Sequence, residues 1–350
     1  MTYPFLTKRL AVGLLLILGI GSGRVRAQQD KMFSQYMFNM SALNPAYVGS
    51  RDVLSMSALY RNQWTGLPGS PQTATFTMDM PLKQERVGVG LQLYGDSFGE
   101  MQEAGGFLSY AFRIKVGSRS TLALGLQGGA SSFRWDLTRV QTNPDGTGQI
   151  DPAFATNISK VLPNFGTGIY LSNDKRYFGL SVPRLIKNRL SEYASGDYRS
   201  VQRRHAYAMA GFVVGLSPSV SIKPSVLVKY AEGAPLGFDG NVNVWFTDRV
   251  AVGVSLRRNQ FTSWTPYSTD AVVGLLEVQL TDQFRFGYAY DRTKKQPARR
   301  GTEFARDHAP LRVRLWQKPH SDPPLFLEWL KKWVMRGGAT LAKIPVLIFH

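Results

Sequence analysis

"VAVGVSLR", residues 250–257, alternates Val250, Val252, Val254 and Leu256 with Ala251, Gly253, Ser255 and Arg257. Successive side chains of an extended chain point to opposite faces, so this segment has one aliphatic face and one small or polar face. The device recurs along the chain. Val87, Val89, Leu91 and Leu93 alternate with Gly88, Gly90, Gln92 and Tyr94; Leu108, Tyr110, Phe112 and Ile114 alternate with Ser109, Ala111, Arg113 and Lys115. Leu122, Leu124 and Leu126 oppose Ala123, Gly125 and Gln127, and Phe284, Phe286, Tyr288 and Tyr290 oppose Arg285, Gly287 and Ala289. Asn143-Pro144-Asp145-Gly146, Ser217-Pro218-Ser219, Thr247-Asp248 and Thr281-Asp282 carry turn chemistry between such runs. Residues 52 to 291 hold roughly 12 to 14 candidate strands, and no long amphipathic helix interrupts them.

Two all-β architectures use this pattern. A soluble sandwich buries the apolar faces against each other. A transmembrane antiparallel β-barrel turns them to lipid and encloses the small and polar faces. The segments match the roughly 9 to 11 residues that a strand needs to cross the hydrocarbon. Aromatics near segment ends (Tyr60, Trp64, Tyr94, Tyr110, Trp135, Tyr177, Tyr230, Trp245, Tyr288, Tyr290) suit interfacial girdles. The opposite faces are too small and polar for the exterior of so large a sandwich. The pattern predicts the barrel, of about 12–14 strands, preceded by an irregular amino-terminal segment.

The amino end gives the address. Lys8 and Arg9, the apolar run Leu10 to Ile20 and the small-residue site Val25-Arg26-Ala27 lay out a cleaved signal peptide over residues 1–27. The apolar run is too short for a spanning helix, which needs about 20 residues. Export to the outer membrane follows for a barrel. The chain has no Cys, which excludes disulfides, thiolate metal sites, a Cys nucleophile and a lipidated-Cys anchor. Its net charge is +18, from 42 Lys and Arg against 24 Asp and Glu; residues 291–350 alone hold 13 basic and 5 acidic residues. For an exported chain this points to lipid head groups of the outer membrane or other envelope surfaces, and no nucleic acid is expected as a partner.

Residues 28–51 begin "QQDKMFSQYMFNMSALNPAYVGS", rich in aromatics and Met and broken by Asn44-Pro45. Alternation is too poor for a strand and the stretch is too apolar for a free tail. It is expected to fold back against the periplasmic mouth or the lumen. There Phe33, Tyr36, Phe38, Asn44, Pro45 and Tyr47 are the candidate partner-binding residues. The barrel is expected over 52–316, with "PLRVRLW" (310–316) as a short closing strand. Residues 317–350 are read as an atypical basic, amphipathic tail: a short helix with Lys331, Lys332 and Arg336, then an apolar terminus.

No chemistry-bearing constellation emerges. Of the four His, only His205 lies before residue 291, and it suits a rim or lumen position. No catalytic, cofactor-binding or metal-binding residue is assigned. Gly88-x-Gly90 lies inside a strand with no helix after it and is no nucleotide loop. "NPDGTGQID" (143–151) departs from the calcium-loop pattern and reads as a surface loop. Arg113, Lys115, Lys223, Lys229, Arg257 and Arg285 share the polar strand faces and are expected to line the lumen. They either leave it basic or fill it by pairing with Glu103, Asp239 and Asp291.

The residues resemble a known family. The amino-terminal stretch, then "YRNQWTGLPGSPQTATFTMDMPL" (60–82), "DPAF" (151–154), "LPNFGTGIYLSNDKRYFGLSVPRLI" (162–186), "KPSVLVKYAEGAP" with Asp239, and "FGYAYD" (286–291) are similar to the PorP/SprF family. The resemblance implies a non-enzymatic outer-membrane barrel of the type IX secretion system of the Bacteroidota, without cofactor. Its implied partners are secreted adhesins with a C-terminal sorting domain and a periplasmic peptidoglycan-binding component or other secretion components. Gliding motility is implied in some species. The family closes with an aromatic-terminated strand, and none is legible after residue 291. The competing class is a porin or small-solute channel with a basic lumen; Tyr94, Tyr170, Trp245 and the amino-terminal segment would plug such a channel. A lipid-modifying barrel enzyme lacks a credible His–Ser pair.

Overall fold

The computed structural model describes residues 36–63, 68–82, 86–139, 156–190, 201–232, 234–258, 271–293 and 344–349, with Thr293 and 344–349 described through their backbone. Antiparallel strands dominate: β1 (Ser55–Asn62), β2 (Gln72–Leu82), β3 (Val87–Phe98), β4 (Met101–Val116), β5 (Ser120–Trp135), β6 (Ile158–Ser172) and β7 (Arg176–Arg184) come first. They are followed by β8 (His205–Phe212), β9 (Val214–Ser217), β10 (Val220–Ala231), β11 (Gly237–Phe246), β12 (Val250–Arg258), β13 (Ala271–Gln279), β14 (Phe284–Thr293) and β15 (Ile344–Phe349). β8 and β9 both pair with β10 and are separated only by Val213, so they act as one interrupted strand. Counted so, the described sheet has 14 strands. No helix among the described residues is long and apolar enough to cross a membrane.

Neighbours in sequence pair in order from β1 to β8, β10 pairs with both β8 and β11, and the ladder continues to β14. β15 lies between the two ends of this run. Phe349–Val346 pairs with Met56–Leu59 of β1, and Phe349–Ile344 with Phe284–Ala289 of β14. The apolar terminus that reads as foreign to the barrel is therefore one of its strands, ending on the aromatic Phe349. "IPVLIF" is apolar at every position, so it carries no alternation to mark it as a strand. The expected closing strand at 310–316, the signal peptide, Phe33, Trp64, the 143–151 loop and the helix with Lys331, Lys332 and Arg336 lie outside the described residues.

Burial shows which way the faces turn. Leu108 and Leu126 are 68% and 63% exposed, whereas Ala111 and Ala123, on the opposite faces of the same strands, are 0% and 3% exposed. β12 repeats the arrangement, with Val252, Val254 and Leu256 outward and Ala251, Ser255 and Arg257 buried. A protein with aliphatic residues outside and polar residues inside is at home in lipid, where outward apolar side chains carry no hydration penalty. The outward apolar series of β4, Leu108 to Val116, is as tall as a hydrocarbon core requires. The chain is a transmembrane antiparallel β-barrel.

The connections give the barrel its sidedness. At one end they are short: 83–86, 117–119, 173–175, 218–219, 247–249 and 280–283. At the other end run the long ones, 63–71, 136–157, 185–204, 259–270 and 294–343, together with the shorter 99–100 and 232–236. Short turns mark the periplasmic end of such barrels and long loops the outer end. The turn at 247–249 shows how such a connection closes tightly. Thr247 and Asp248 both take positive φ, 48° and 54°, the geometry that matches strand twist in a hairpin. β1 begins at the short-turn end, so the amino-terminal segment enters there.

Candidate functional site

The lumen is occupied by the chain's own amino-terminal segment. Residues 36–50 form a 3₁₀ turn (Tyr36–Phe38), a single helical turn α1 (Met40–Leu43) and a second 3₁₀ turn (Pro45–Tyr47). Pro45 cannot continue α1, but its fixed φ suits the first position of the next turn. Asn44 caps that turn: its Oδ1 accepts from Ala46 N at 2.9 Å. The Asn44 amide is also the anchor, because its Nδ2 donates to the Ile169 carbonyl at 3.0 Å and reaches the Leu180 carbonyl at 3.5 Å.

Other bonds tie the segment around the wall. Ser181 Oγ donates to the Leu43 carbonyl (2.7 Å), Gly49 N donates to Asp79 Oδ2 (3.0 Å), and Tyr36 OH donates to Ser225 Oγ (2.8 Å). Burial pushes the Tyr36 phenol well above its ordinary pKa, with nearby Tyr177 adding to the effect, so it remains a neutral donor. Tyr36, Met40, Leu43, Ala46 and Tyr47 pack into one core with Tyr170, Tyr207, Met209 and Leu227. Tyr47 meets Tyr170 edge-on at 5.3 Å.

The wall is thinned where the segment passes. A Cβ added at Gly88 would strike the Val48 carbonyl, one at Gly125 the Ala46 backbone, and one at Gly168 the Asn44 amide oxygen. These glycines permit backbone to lie against backbone. Glycine inside a strand is the sequence signal for such close approach. Sequence reasoning met Gly88 and Gly125 only as small lumenal residues and did not connect them to the segment.

The expected partner-binding side chains are placed as follows. Tyr36, Phe38, Asn44, Pro45 and Tyr47 are all buried inside the barrel. They are brought together as a docked unit and turn no free surface outward. Around the mouth, the segment leaves the half-buried Met37, Ser50 and Arg51.

The charged lumen is mostly paired. Lys229 Nζ meets Asp239 Oδ2 at 2.8 Å, and Arg257 reaches both Asp239 and Asp291 at 3.4 Å. Arg61, which sequence reasoning missed, meets Asp291 at 2.9 Å. Arg113 pairs with Asp52 at 2.6 Å. Glu103 accepts from Tyr94 OH at 2.6 Å, and Arg184 stands beside both. Lys223 and Arg285 instead stand over the Trp245 ring, 4.4 and 4.6 Å from its centroid. Lys115 does not line the lumen. It is exposed at the short-turn end of β4, beyond the last buried inward position at Arg113.

One further expectation is corrected. Tyr94 and Trp245 are buried in the lumen and Tyr177 stacks on Tyr170, so none of the three belongs to an interfacial girdle. Strand parity already carried that signal, since Tyr94 shares its face with Gly88 and Gly90, and Trp245 with Asp239. His205 sits buried at the start of β8, its Nδ1 3.1 Å from the Arg203 carbonyl and its ring stacked on Tyr207. Among the described residues no group of three or more His, Asp or Glu is arranged to hold a metal. On the outer rim Lys187 holds the exposed Glu232 carboxyl below its usual range through a 2.6 Å bond.

The arrangement is that of a plugged barrel with a mouth at its short-turn end. Among solved structures, the chain is similar to a Pseudomonas aeruginosa FadL homologue at 14% identity, covering 72% of this chain and 84% of that one, with a TM-score of 0.40. It is also similar to a porin of Rh. blastica bearing substitutions, at 9% identity, 69% and 93% coverage and a TM-score of 0.29. Likenesses this loose add nothing to the architecture seen directly. No curated protein sequence matches the chain. A family model does match, over residues 25–303: the type IX secretion system membrane protein PorP/SprF, and the chain belongs to that family.

Proposed function

We propose that the chain is a non-enzymatic outer-membrane component of the type IX secretion system that supports secretion and surface attachment of adhesin-type cargo carrying a C-terminal sorting domain. In gliding species this cargo would serve motility. The observation that carries the reading is the occupied lumen. A diffusion porin needs a standing water path, and here residues 36–50 are bonded to β2, β6, β7 and β10 across the interior. Family membership supplies the secretion system.

On this reading residues 1–27 are removed on export and 28–51 form the lumenal segment. The barrel occupies 52–316, and 317–350 form the tail, with its last six described residues joining the sheet. A periplasmic peptidoglycan-binding component, or another secretion component, meets the short-turn mouth that the segment completes. Tyr36, Phe38, Asn44, Pro45 and Tyr47 shape that mouth from within.

Deleting residues 30–45 tests the proposal. The truncated protein should still appear in outer membranes as a heat-modifiable band, while adhesin is lost from the cell surface. Adhesin display at wild-type level would sink the secretion reading. Steady, anion-selective currents from the intact protein in planar bilayers would return the porin to favour.

A further inference from the structure

The two halves of the lumenal segment are held differently. Residues 43–49 are fastened to β2, β6 and β7: Ser181 Oγ donates to the Leu43 carbonyl, the Asn44 amide reaches Ile169 and Leu180, and Gly49 N donates to Asp79. Residues 36–39 have one hydrogen bond to the wall among the described residues, from Tyr36 OH to Ser225 Oγ. The sheet register shows how they lie. Ser225, Asn241, Ser255 and Val273 stand side by side in one row across β10, β11, β12 and β13. Tyr36 is bonded at the first of these, and Met37 packs against the cluster that contains the last. The segment therefore crosses the row over Asn241 and Ser255.

Those two side chains meet no partner there. Asn241 and Ser255 are 2% and 1% exposed, yet Asn241 Nδ2 and Oδ1 and Ser255 Oγ have no hydrogen bond. Asn39 repeats the mismatch from the segment's side. It stands at the N-cap position of α1 but makes no cap bond, and its buried Nδ2 and Oδ1 are also without partners. A polar group taken out of water without a replacement bond opposes the burial that put it there. Lifting residues 36–39 off the wall loses one hydroxyl bond and returns five such atoms to water. Burial of the Tyr36 and Phe38 rings holds the docked position against this.

We infer that residues 36–39 are a gate: they swing off β11–β13 toward the short-turn mouth while 43–49 stay fastened. Met37 and Phe38 already line a cavity of about 320 Å³ at that mouth. Opening joins the cavity to the row of Asn241 and Ser255, so the lumen gains a polar recess without losing its plug. The gate depends on docking of the segment and not on the secretion reading, so its failure leaves the adhesin-display experiment standing.

Hydrogen–deuterium exchange of the full chain in detergent micelles tests the gate, read residue by residue and corrected for intrinsic rates. Four residues detached from the wall cannot keep a turn of their own, so the Asn39 amide, bonded at 3.0 Å to the Tyr36 carbonyl, reports opening. It should exchange at least about tenfold faster than the amides of Ala46 and Gly49, bonded at 2.9 and 3.0 Å to Asn44 and Asp79. Asn39→Leu and Asn241→Leu each replace an unpartnered amide by an apolar group with the same number of heavy atoms. Either should slow exchange at position 39 by about tenfold, the scale of removing one unpaired buried group, and leave Ala46 and Gly49 unchanged. Equal protection of the two halves in the unaltered chain overturns the gate. So does unchanged or faster exchange at position 39 in a folded variant, or slowing of both halves alike. Heat-modifiable migration checks that each variant folds, and if neither does, the comparison of halves in the unaltered chain decides.

Discussion

Replacing Asn44 by Ala should release the amino-terminal segment without unfolding the barrel. Asn44 holds three positions at once: it caps Ala46 N at 2.9 Å, anchors to the Ile169 carbonyl at 3.0 Å and reaches Leu180 at 3.5 Å. Each neutral bond of this kind contributes about 1 kcal/mol net, and an orphaned buried donor such as Ala46 N costs about 1–3 kcal/mol. Docking should weaken by about 2–4 kcal/mol, which raises the undocked fraction roughly thirtyfold to several hundredfold. The chain has no Cys, so one introduced thiol reports alone. Ser41→Cys is nearly isosteric and buried in α1. When docking is faster than labelling, the maleimide rate follows the undocked fraction. Heat-modifiable migration must persist, which separates release from global unfolding. If Asn44→Ala accelerates Ser41→Cys labelling by less than about twofold, these three bonds do not hold the segment and the reasoning fails.

Gly125→Leu places a side chain where the Ala46 backbone lies. Backbone yields less than a flexible side chain, so the penalty should exceed the about 1–3 kcal/mol of ordinary overpacking; stable currents should appear in planar bilayers, and wild-type quiescence would count against the glycine cradle. Asp239→Ala removes the carboxylate shared by Lys229 and Arg257. Breaking such a buried set costs about 3–5 kcal/mol, and the temperature at which the folded band is lost on gels should drop accordingly. Leu126→Arg puts a charge on the lipid face at a cost of about 2–4 kcal/mol near the midplane. Its folded yield in lipid vesicles should fall, and an unchanged yield would contradict the outward assignment of β5.

The strands were legible because lipid outside and a packed lumen inside impose a strict period of two. Val250 to Arg257 shows it, and β12 repeats that reading residue for residue. What stayed hidden depends on partners far away in the chain. Arg61 and Asp291 are 230 residues apart, and nothing local to either forecasts a 2.9 Å pair. β15 was missed because a uniformly apolar hexamer has no periodicity; only β14 and β1 on its two sides identify it as a strand. Trp245 and Tyr94 were assigned to a girdle from position along the strand, although parity placed them inward. Lys115 fails for the opposite reason: its parity is right, but the strand has already left the enclosed interior. The segment's inward docking was anticipated from its aromatics; the glycines that receive it needed three-dimensional register to be matched to Val48, Ala46 and Asn44.

The segment is joined to β1 by only residues 51–54. That short tether makes it a ligand of its own barrel, at an effective concentration of about millimolar or more that dilution cannot lower. Its docking is therefore a unimolecular equilibrium, the same at any density of protein in the membrane. A partner that sought the lumen would compete with this standing local concentration, and its apparent affinity would be reduced by the fraction of time the lumen is free. A partner that binds the mouth around the docked segment meets no such competition. The tether thus favours recognition at the rim over entry, and it ensures that a segment pulled out would be the first to return.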